Sequence, residues 1–556
     1  MTRKENAKAR ANRVASYVYS RLGRGAFVLF AAVFSALIVI DFSYTHLIGV
    51  MERKTYDLMM RNRYRAPTPD RDIVIIDIDE KSLAAMAKDY GRWPWPRQVL
   101  AELVQGIEEQ RPAAIVFDIL FSDADVVNAE SDAYFNRAMA ATRNTYFPYL
   151  RLDRRNDALS QVTAAMLPGA QKLAGDASVA TGIAVVLPRF PALIESGRLG
   201  LHNVEPDRDS VIRNFRPWLD EHGWRLPSVP LAVAQGLGWP RPAEERFLIN
   251  WRGAPFSYTF AAFSDVYEDL LRKDKRRPQD EFAGKVVLIG STAPSLFDIK
   301  ATPMASIHPG VEILANVIDN LKHGDYYLEH GRTLYALLSL AFVWGLACAF
   351  LLRVRSNVLA PVFVVLQGAL VAISYFSLSF SSRYVDLTAP ISFGLLYFTA
   401  AKVYSTLSER VLTQRGLFVE RLAPAQTYVL TLLVLQSPAG DAKSLRSLRT
   451  ILDKAVTASR AGARRVARML EGGGALETLF GDIALLYWIC PAAQAERAQL
   501  QVDEAKRLRV ELSTSLGGMQ LRAGLHSESV EADAEGRLGK DARRLLLVAL
   551  AGISEV

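Results

Sequence analysis

Residues Lys285–Asn320 read KVVLIGSTAPSLFDIKATPMASIHPGVEILANVIDN. The stretch opens with a β-branched apolar run, Val286-Val287-Leu288-Ile289, which breaks at Gly290-Ser291-Thr292. It passes Asp298 and Thr302-Pro303, turns at Pro309-Gly310, and resumes with apolar residues at Val311, Leu314, Ala315 and Ile318. Those spacings predict a buried strand, a loop at its carboxyl end and a covering helix.

Upstream, the same alternation recurs. IVIID (73–77), AAIVFDIL (113–120), SVATGIAVVL (178–187) and RFLINW (246–251) are further candidate strands. Helical patterns fall at Ser82–Ala87 and Arg97–Glu109. Near-continuous apolar strands alternating with helices predict an α/β domain with a mostly parallel sheet. In such a sheet, binding crevices lie beyond the carboxyl ends of the strands. Asp77, Asp79, Asp118, Ser291 and Asp298 fall there, and they are the ligand-sensing candidates. A purely structural role stands beside that reading: Asp79 capping a helix and Asp118 satisfying loop amides. Trp93-Pro94-Trp95-Pro96 reads as a rigid turn with Arg97 opening a helix, and His308 reads as incidental.

Half of the 556 residues are hydrophobic, and the excess is concentrated in segments of membrane-spanning length. Residues 1–24 carry seven Lys and Arg against Glu5, and an apolar run at 25–41 follows. A signal peptide competes with this reading, but no small-x-small cleavage site follows the run, so an anchor is expected. Three further spans are expected at 333–352, 358–380 and 386–406. Arg353 and Arg355 lie in one connection, Arg383 and Asp386 in the next, and Lys402, Arg410 and Arg415 within and beyond the last. Four crossings then place 42–332 outside the membrane and both termini in the cytoplasm. The net charge of +8 is explained by these anchors. With no zinc-finger spacing or aromatic-basic interleaving, no nucleic-acid partner is expected; RAGARRVAR (460–468) reads as a solvated helix face. The two cysteines, Cys348 and Cys490, both lie outside the 42–332 region, which therefore has no disulfide.

Beyond a connector at 407–426, residues 427–556 read as a smaller α/β module. A strand at 428–436, a helix over Ser444–Leu470, a Gly472-Gly473-Gly474 turn, a strand pair near Gly481-Asp482, a helix at Gln494–Glu511, a strand at 521–526 and a last helix from Lys540 are expected.

Several motifs carry a resemblance. Glu52-Arg-Lys-Thr-Tyr56-Asp57, Ile78-Asp79-Glu80, Trp93-Pro94-Trp95-Pro96-Arg97, Phe117-Asp118-Ile119, Asn250-Trp-Arg-Gly253 and Pro309-Gly310-Val311-Glu312 occur in order. Over 52–325 the chain resembles the type-2 CHASE domain, an extracytoplasmic sensor of bacterial receptors. The resemblance implies an unidentified extracytoplasmic ligand. Phe418, Leu422-Ala423-Pro424 and the stretch Glu471–Asp482 are similar to the connector and Gly-rich hairpin of class III adenylate/guanylate cyclases, whose catalytic fold is ferredoxin-like.

That family holds ATP or GTP with two Mg or Mn ions bridged by two aspartates. Asp482 matches one metal position and Arg544 the transition-state arginine. Gln436 stands where the second aspartate is expected, Thr478 where a purine-selecting lysine is, and Lys540 where an asparagine is. Gln436 is neutral and cannot bridge two cations. The expectation is a degenerate, noncatalytic module that needs no cofactor. It would act by protein contact, as a homodimer or with a cyclase-domain or other protein partner. The competing readings are an active cyclase with a rearranged metal site using Asp441, and a structural envelope or assembly protein.

Overall fold

The computed structural model describes residues 25–126, 128–173, 175, 179–329, 331–352, 356–414, 422–436, 456–465, 483–515 and 522–532, with 538, 545, 548–549 and 554–555 beyond them. The chain forms two units. One comprises His46–Tyr335 and Phe363–Ile391, the other Met1–Thr45, Ala336–Val362 and Ser392–Val556.

The chain enters through α1 (Gly25–Ile40) and α2 (Leu47–Arg61). Seven strands follow: β1 (Ile73–Asp77), β2 (Ala114–Phe117), β3 (Thr145–Arg151), β4 (Val185–Val186), β5 (Leu199–Leu201), β6 (Thr259–Ala262) and β7 (Val286–Gly290). They form one sheet in the order β6-β1-β7-β2-β3-β4, with β5 also pairing β3. Every pairing is parallel except β3 with β4. The helices that cover it are α3 (Glu80–Tyr90), α4 (Arg97–Glu108), α5 (Ala129–Ala141), α6 (Val229–Gly236), α7 (Phe263–Leu271) and α8 (Gly310–His323).

Alternation along the strands divides the core. Val74, Ile76, Val287 and Ile289 pack with Leu100, Leu103 and Val104 of α4 and Val266 of α7. Ile73, Ile75, Val286 and Leu288 pack with Val311, Leu314, Ala315 and Ile318 of α8 and with Val229 and Val233 of α6. Because both faces are covered, every residue of β1 and β7 is buried, and the strands read as unbroken apolar runs. Each such aliphatic side chain contributes about 1.5–3 kcal/mol by leaving water. The Trp93–Pro96 turn is part of this core: Trp95 is buried, its ring 4.8 Å from Phe263 and 4.9 Å from Trp93.

Two expected strands are shorter than the sequence predicts. Among the described residues of 178–187 only Val185–Val186 is a strand, because neighbouring amides bond elsewhere: Ile183 N to Val162 O at 2.7 Å and Ala184 N to Asp157 Oδ1 at 2.8 Å. In 246–251 only Phe247–Leu248 pairs, antiparallel to Asn214–Phe215 and outside the main sheet. Asn250 N instead bonds to the Asn320 side chain at 2.7 Å.

Three helices among the described residues are long and apolar enough to cross a membrane: Gly25–Thr45, Arg332–Leu351 (α9) and Val358–Phe380. The last is the greater part of α10 (Ser356–Phe380). The fourth expected span is a continuous helix, α11 (Thr388–Gln414), but Lys402 and the polar residues after it dilute its apolar character.

In the other unit, β8 (Thr427–Gln436), β9 (Ile483–Pro491) and β10 (Arg522–Glu531) are antiparallel with β8 in the middle. Arg464–Arg465 adds an edge strand to β9 and Ser554–Glu555 another to β10. The helix expected over Ser444–Leu470 therefore cannot run its full length, since Arg464–Arg465 lies in the sheet. Helix α12 (Ala495–Ser515) packs Ala505 and Leu508 on Leu433, Leu486 and Trp488. The Glu504 carboxylate on α12 accepts from Ser459 Oγ at 2.7 Å, Arg460 N at 3.0 Å and Trp488 Nε1 at 3.0 Å.

Candidate functional site

The carboxyl ends of β1, β2 and β7 bring the five acidic and hydroxyl candidates into one region, but into two kinds of role. Asp77 accepts from Thr292 N at 2.8 Å and Thr292 Oγ1 at 2.6 Å. Burial raises its pKa, against the pull of those two bonds. Ser291 Oγ donates to Ile78 O at 2.7 Å, and Asp79 caps α3 by accepting from Ser82 N at 2.7 Å. These three stitch β1 to β7 and fix the start of α3, as an N-cap carboxylate does.

Asp118 and Asp298 are different. The Asp118 side chain is 1% exposed, and His202 Nε2 lies 3.0 Å from its Oδ1. Neither carboxylate oxygen meets hydrogen-bond geometry with any described residue. Asp298 sits at the mouth of α8, where its backbone oxygen accepts from Gly310 N at 3.0 Å. A side chain on Gly310 would meet the Asp298 carboxylate at 2.0 Å, so only glycine permits this approach. Lys300 Nζ is 3.2 Å from Asp298 Oδ1.

The electrostatics follow. Burial disfavours the His202 cation, but Asp118, helped by Asp298, outweighs it and raises the His202 pKa. Burial and then the Asp118 charge raise the Asp298 pKa against the attraction of Lys300. Two acids and two bases thus share the ends of β2 and β7. The cluster pairs opposite charges at the strand ends. His202 carries no sequence signal beyond being a lone histidine after an apolar strand.

A second network joins α8 to the loop after Phe247–Leu248. Glu312, Asn316, Asp319 and Asn320 are all buried, on one face of a helix whose other face packs on the sheet. Glu312 accepts from Phe256 N and Ser257 N, both at 2.7 Å; Asn316 accepts from Arg252 N at 2.9 Å; Asp319 pairs with Arg252 at 2.6 Å. His308 belongs to this network rather than being incidental. It is fully buried, its Nδ1 is 3.0 Å from Thr302 Oγ1, and its Nε2 is 3.3 Å from Glu312. Burial works against the Glu312 carboxylate, but His308 and the loop amides hold its pKa below the usual range.

The same loop reaches α2. Arg63, just past α2, donates to Asn250 Oδ1 at 2.6 Å and to Trp251 O. Buried Arg213 grips Asp57 of α2 with two bonds of 2.7 and 2.8 Å, and also holds Asp207 and Asp209 at 2.8 Å each.

Among the described residues, Asp70, Asp319 and His323 have the spacing of a metal site. Cations of the chain already occupy two of these carboxylates: Lys322 lies 2.7 Å from Asp70, and Arg252 lies 2.6 Å from Asp319. That donor set is a salt network and does not fit a metal ion.

A family model, the CHASE2 domain, matches residues 29–353, more than half of the chain. The chain belongs to the CHASE2 family. This is a sensor-type domain, and the apolar helices that flank it fit a membrane protein. No curated protein and no solved structure matches the chain. Within the CHASE2 match lie all five strand-end candidates, the α8 network and the Arg213 clamp. Asp482, Thr478, Asp441, Lys540, Arg544 and the Gly472–Gly474 turn lie outside the described residues; of Gln436 the backbone position in β8 is described.

Proposed function

We propose that this protein is a multi-pass receptor of a bacterial inner membrane. Its CHASE2 domain faces the periplasm or extracellular space and binds an unidentified signal. Its 427–556 module lies in the cytoplasm and passes the signal on by contact with a second copy or another protein. The observation that carries this reading is the order of parts: a sensor-type domain bracketed by apolar helices, with one further module after the last.

The module is read as a degenerate class III cyclase. Its sheet runs 554/555-β10-β8-β9-464/465, all antiparallel, and within it β10-β8-β9-464/465 is the order that a βαββαβ chain produces. The register pairs Gln436 with Ile483, one residue past Asp482. The class III cyclase family has a metal-bridging aspartate where this chain has Gln436, and glutamine supplies no charge there.

The test is turnover of ATP and GTP, with Mg and with Mn, by the full chain in detergent. No cyclic nucleotide is expected. Product that disappears in Asp482→Ala would overturn the noncatalytic reading and make the protein a sensor cyclase.

A further inference from the structure

The carboxyl ends of β3 and β5 open into a cavity of about 530 Å³ that none of the strand-end candidates lines. Its size falls within the range of small-molecule sites. Leu201 and Trp218 give it an apolar wall, and Arg151, Arg154, Arg216 and Arg246 also line it.

The four carboxylates of the lining do not neutralise these arginines evenly. Asp153 is taken by Arg155 through bonds of 3.0 and 2.9 Å. Asp207 is held by Arg213 at 2.8 Å and lies 3.6 Å from Arg246. Glu221 is divided between Arg151 at 3.3 Å and Arg154 at 3.4 Å. Glu205 pairs with Arg216 at 3.2 Å, with both side chains at least half exposed. Arg154 and Arg246 are thus left with second claims on carboxylates that another arginine shares. They are 73% and 45% exposed, so their forks are open to a planar or tetrahedral anion.

We propose that this cavity is the ligand site of the CHASE2 domain and takes a small organic anion, a carboxylate or phosphate on an apolar body. Trp218 and Leu201 meet the body, and Arg154 and Arg246 bind the anion. The assignment rests on the sensor reading above and names the chemistry of the signal. Asp207 makes occupancy felt elsewhere, because it lines the cavity and is one of three carboxylates on Arg213. Arg213 in turn holds Asp57 of α2, whose chain leads back into α1. An anion on Arg246 draws that arginine from Asp207, leaves the carboxylate to Arg213 and Asn214, and so alters the clamp on α2.

The experiment uses the full chain in detergent, with 1-naphthoate, 1-naphthyl phosphate and neutral 1-naphthol as probes. Binding is read by calorimetry, and amide hydrogen exchange is followed in Leu47–Arg61. Saturable binding of one or both anions but not of naphthol is expected, and the stronger anion identifies the source class. Arg154→Gln with Arg246→Gln should weaken that binding at least tenfold with an unchanged thermal midpoint, since each side chain is exposed and only shares its carboxylate with another arginine. Exchange in α2 should shift only when the anion binds. Three results overturn the proposal: no saturable anion binding, equal binding in the double variant, or binding that leaves α2 exchange unchanged. Each bears on this cavity alone. The receptor reading fails separately, if the domain faces the cytoplasm or the module turns nucleotide over.

Discussion

Arg213 shows how much one side chain can organise. It is 2% exposed and answers Asp57, Asp207 and Asp209 together, so removing it strips Asp57 of a two-bond partner and leaves Asp207 and Asp209 with only the longer arginine contacts, Arg246 at 3.6 Å and Arg53 at 3.7 Å. Arg213→Met should cost about 3–5 kcal/mol, as breaking a buried ion pair from one side does. Denaturant unfolding of the purified chain measures this. His202 yields a different signature. A histidine whose folded pKa is raised stabilises the fold fully below its unfolded value, about 6.5, and that contribution is lost as pH rises through the folded value. The thermal midpoints of wild type and His202→Asn should therefore differ at about pH 6 and converge in alkaline buffer. A gap that persists at high pH would assign His202 a packing role only. Neither residue is legible in the sequence. Asp207 and Asp209 are near Arg213 in the sequence, but Asp57 lies 156 positions from it and Asp118 lies 84 from His202, and spacing along one chain does not reveal such distances.

At the scale of elements, α8 is the part whose reading was half available. Its apolar face, Val311, Leu314, Ala315 and Ile318, follows the helical period and packs where that period predicts. Its other face is just as buried but polar, and pattern reading assigns such residues to solvent. The spacing of Glu312, Asn316, Asp319 and Asn320 is the signal that was present, because four polar residues on one stripe match a backbone to be satisfied. Glu312→Leu should strand the amides of Phe256 and Ser257, at about 1–3 kcal/mol each. The measurable outcome is a lower thermal midpoint together with faster exchange in residues 250–258. The strand at 178–187 failed for the converse reason. Its composition is that of a strand, but its amides are claimed by Val162 and Asp157, so propensity yielded to tertiary bonds.

For the whole molecule, the sensor-type domain and its apolar neighbours imply a sidedness that labelling can read. In a background lacking Cys348 and Cys490, Lys273→Cys lies on an exposed loop of the CHASE2 domain and Glu496→Cys on the exposed start of α12. A membrane-impermeant maleimide should modify Lys273→Cys in cells whose outer envelope is permeabilised, and Glu496→Cys only after the inner membrane is broken. Labelling of both, or of neither, in those cells would contradict the four-span arrangement. The α/β class and the parallel sheet were readable because β1, β2 and β7 are each covered on both faces. The cavity beyond β3 and β5 was not readable, because residues from 151 to 246 line it and no motif joins them.

The strand order has a further consequence, for the making of the protein. β1 is among the first strands to emerge during synthesis, yet its two neighbours, β6 and β7, begin at Thr259 and Val286. For nearly two hundred residues of translation its Ile73-Val74-Ile75-Ile76 run lacks both strand neighbours, and Ile73 and Ile75 wait longer still for α8. Long-range parallel pairing of this kind is slow and leaves the waiting chain prone to aggregation. The nascent run thus presents the apolar surface and unpaired strand edges that chaperones shield in slow-folding chains.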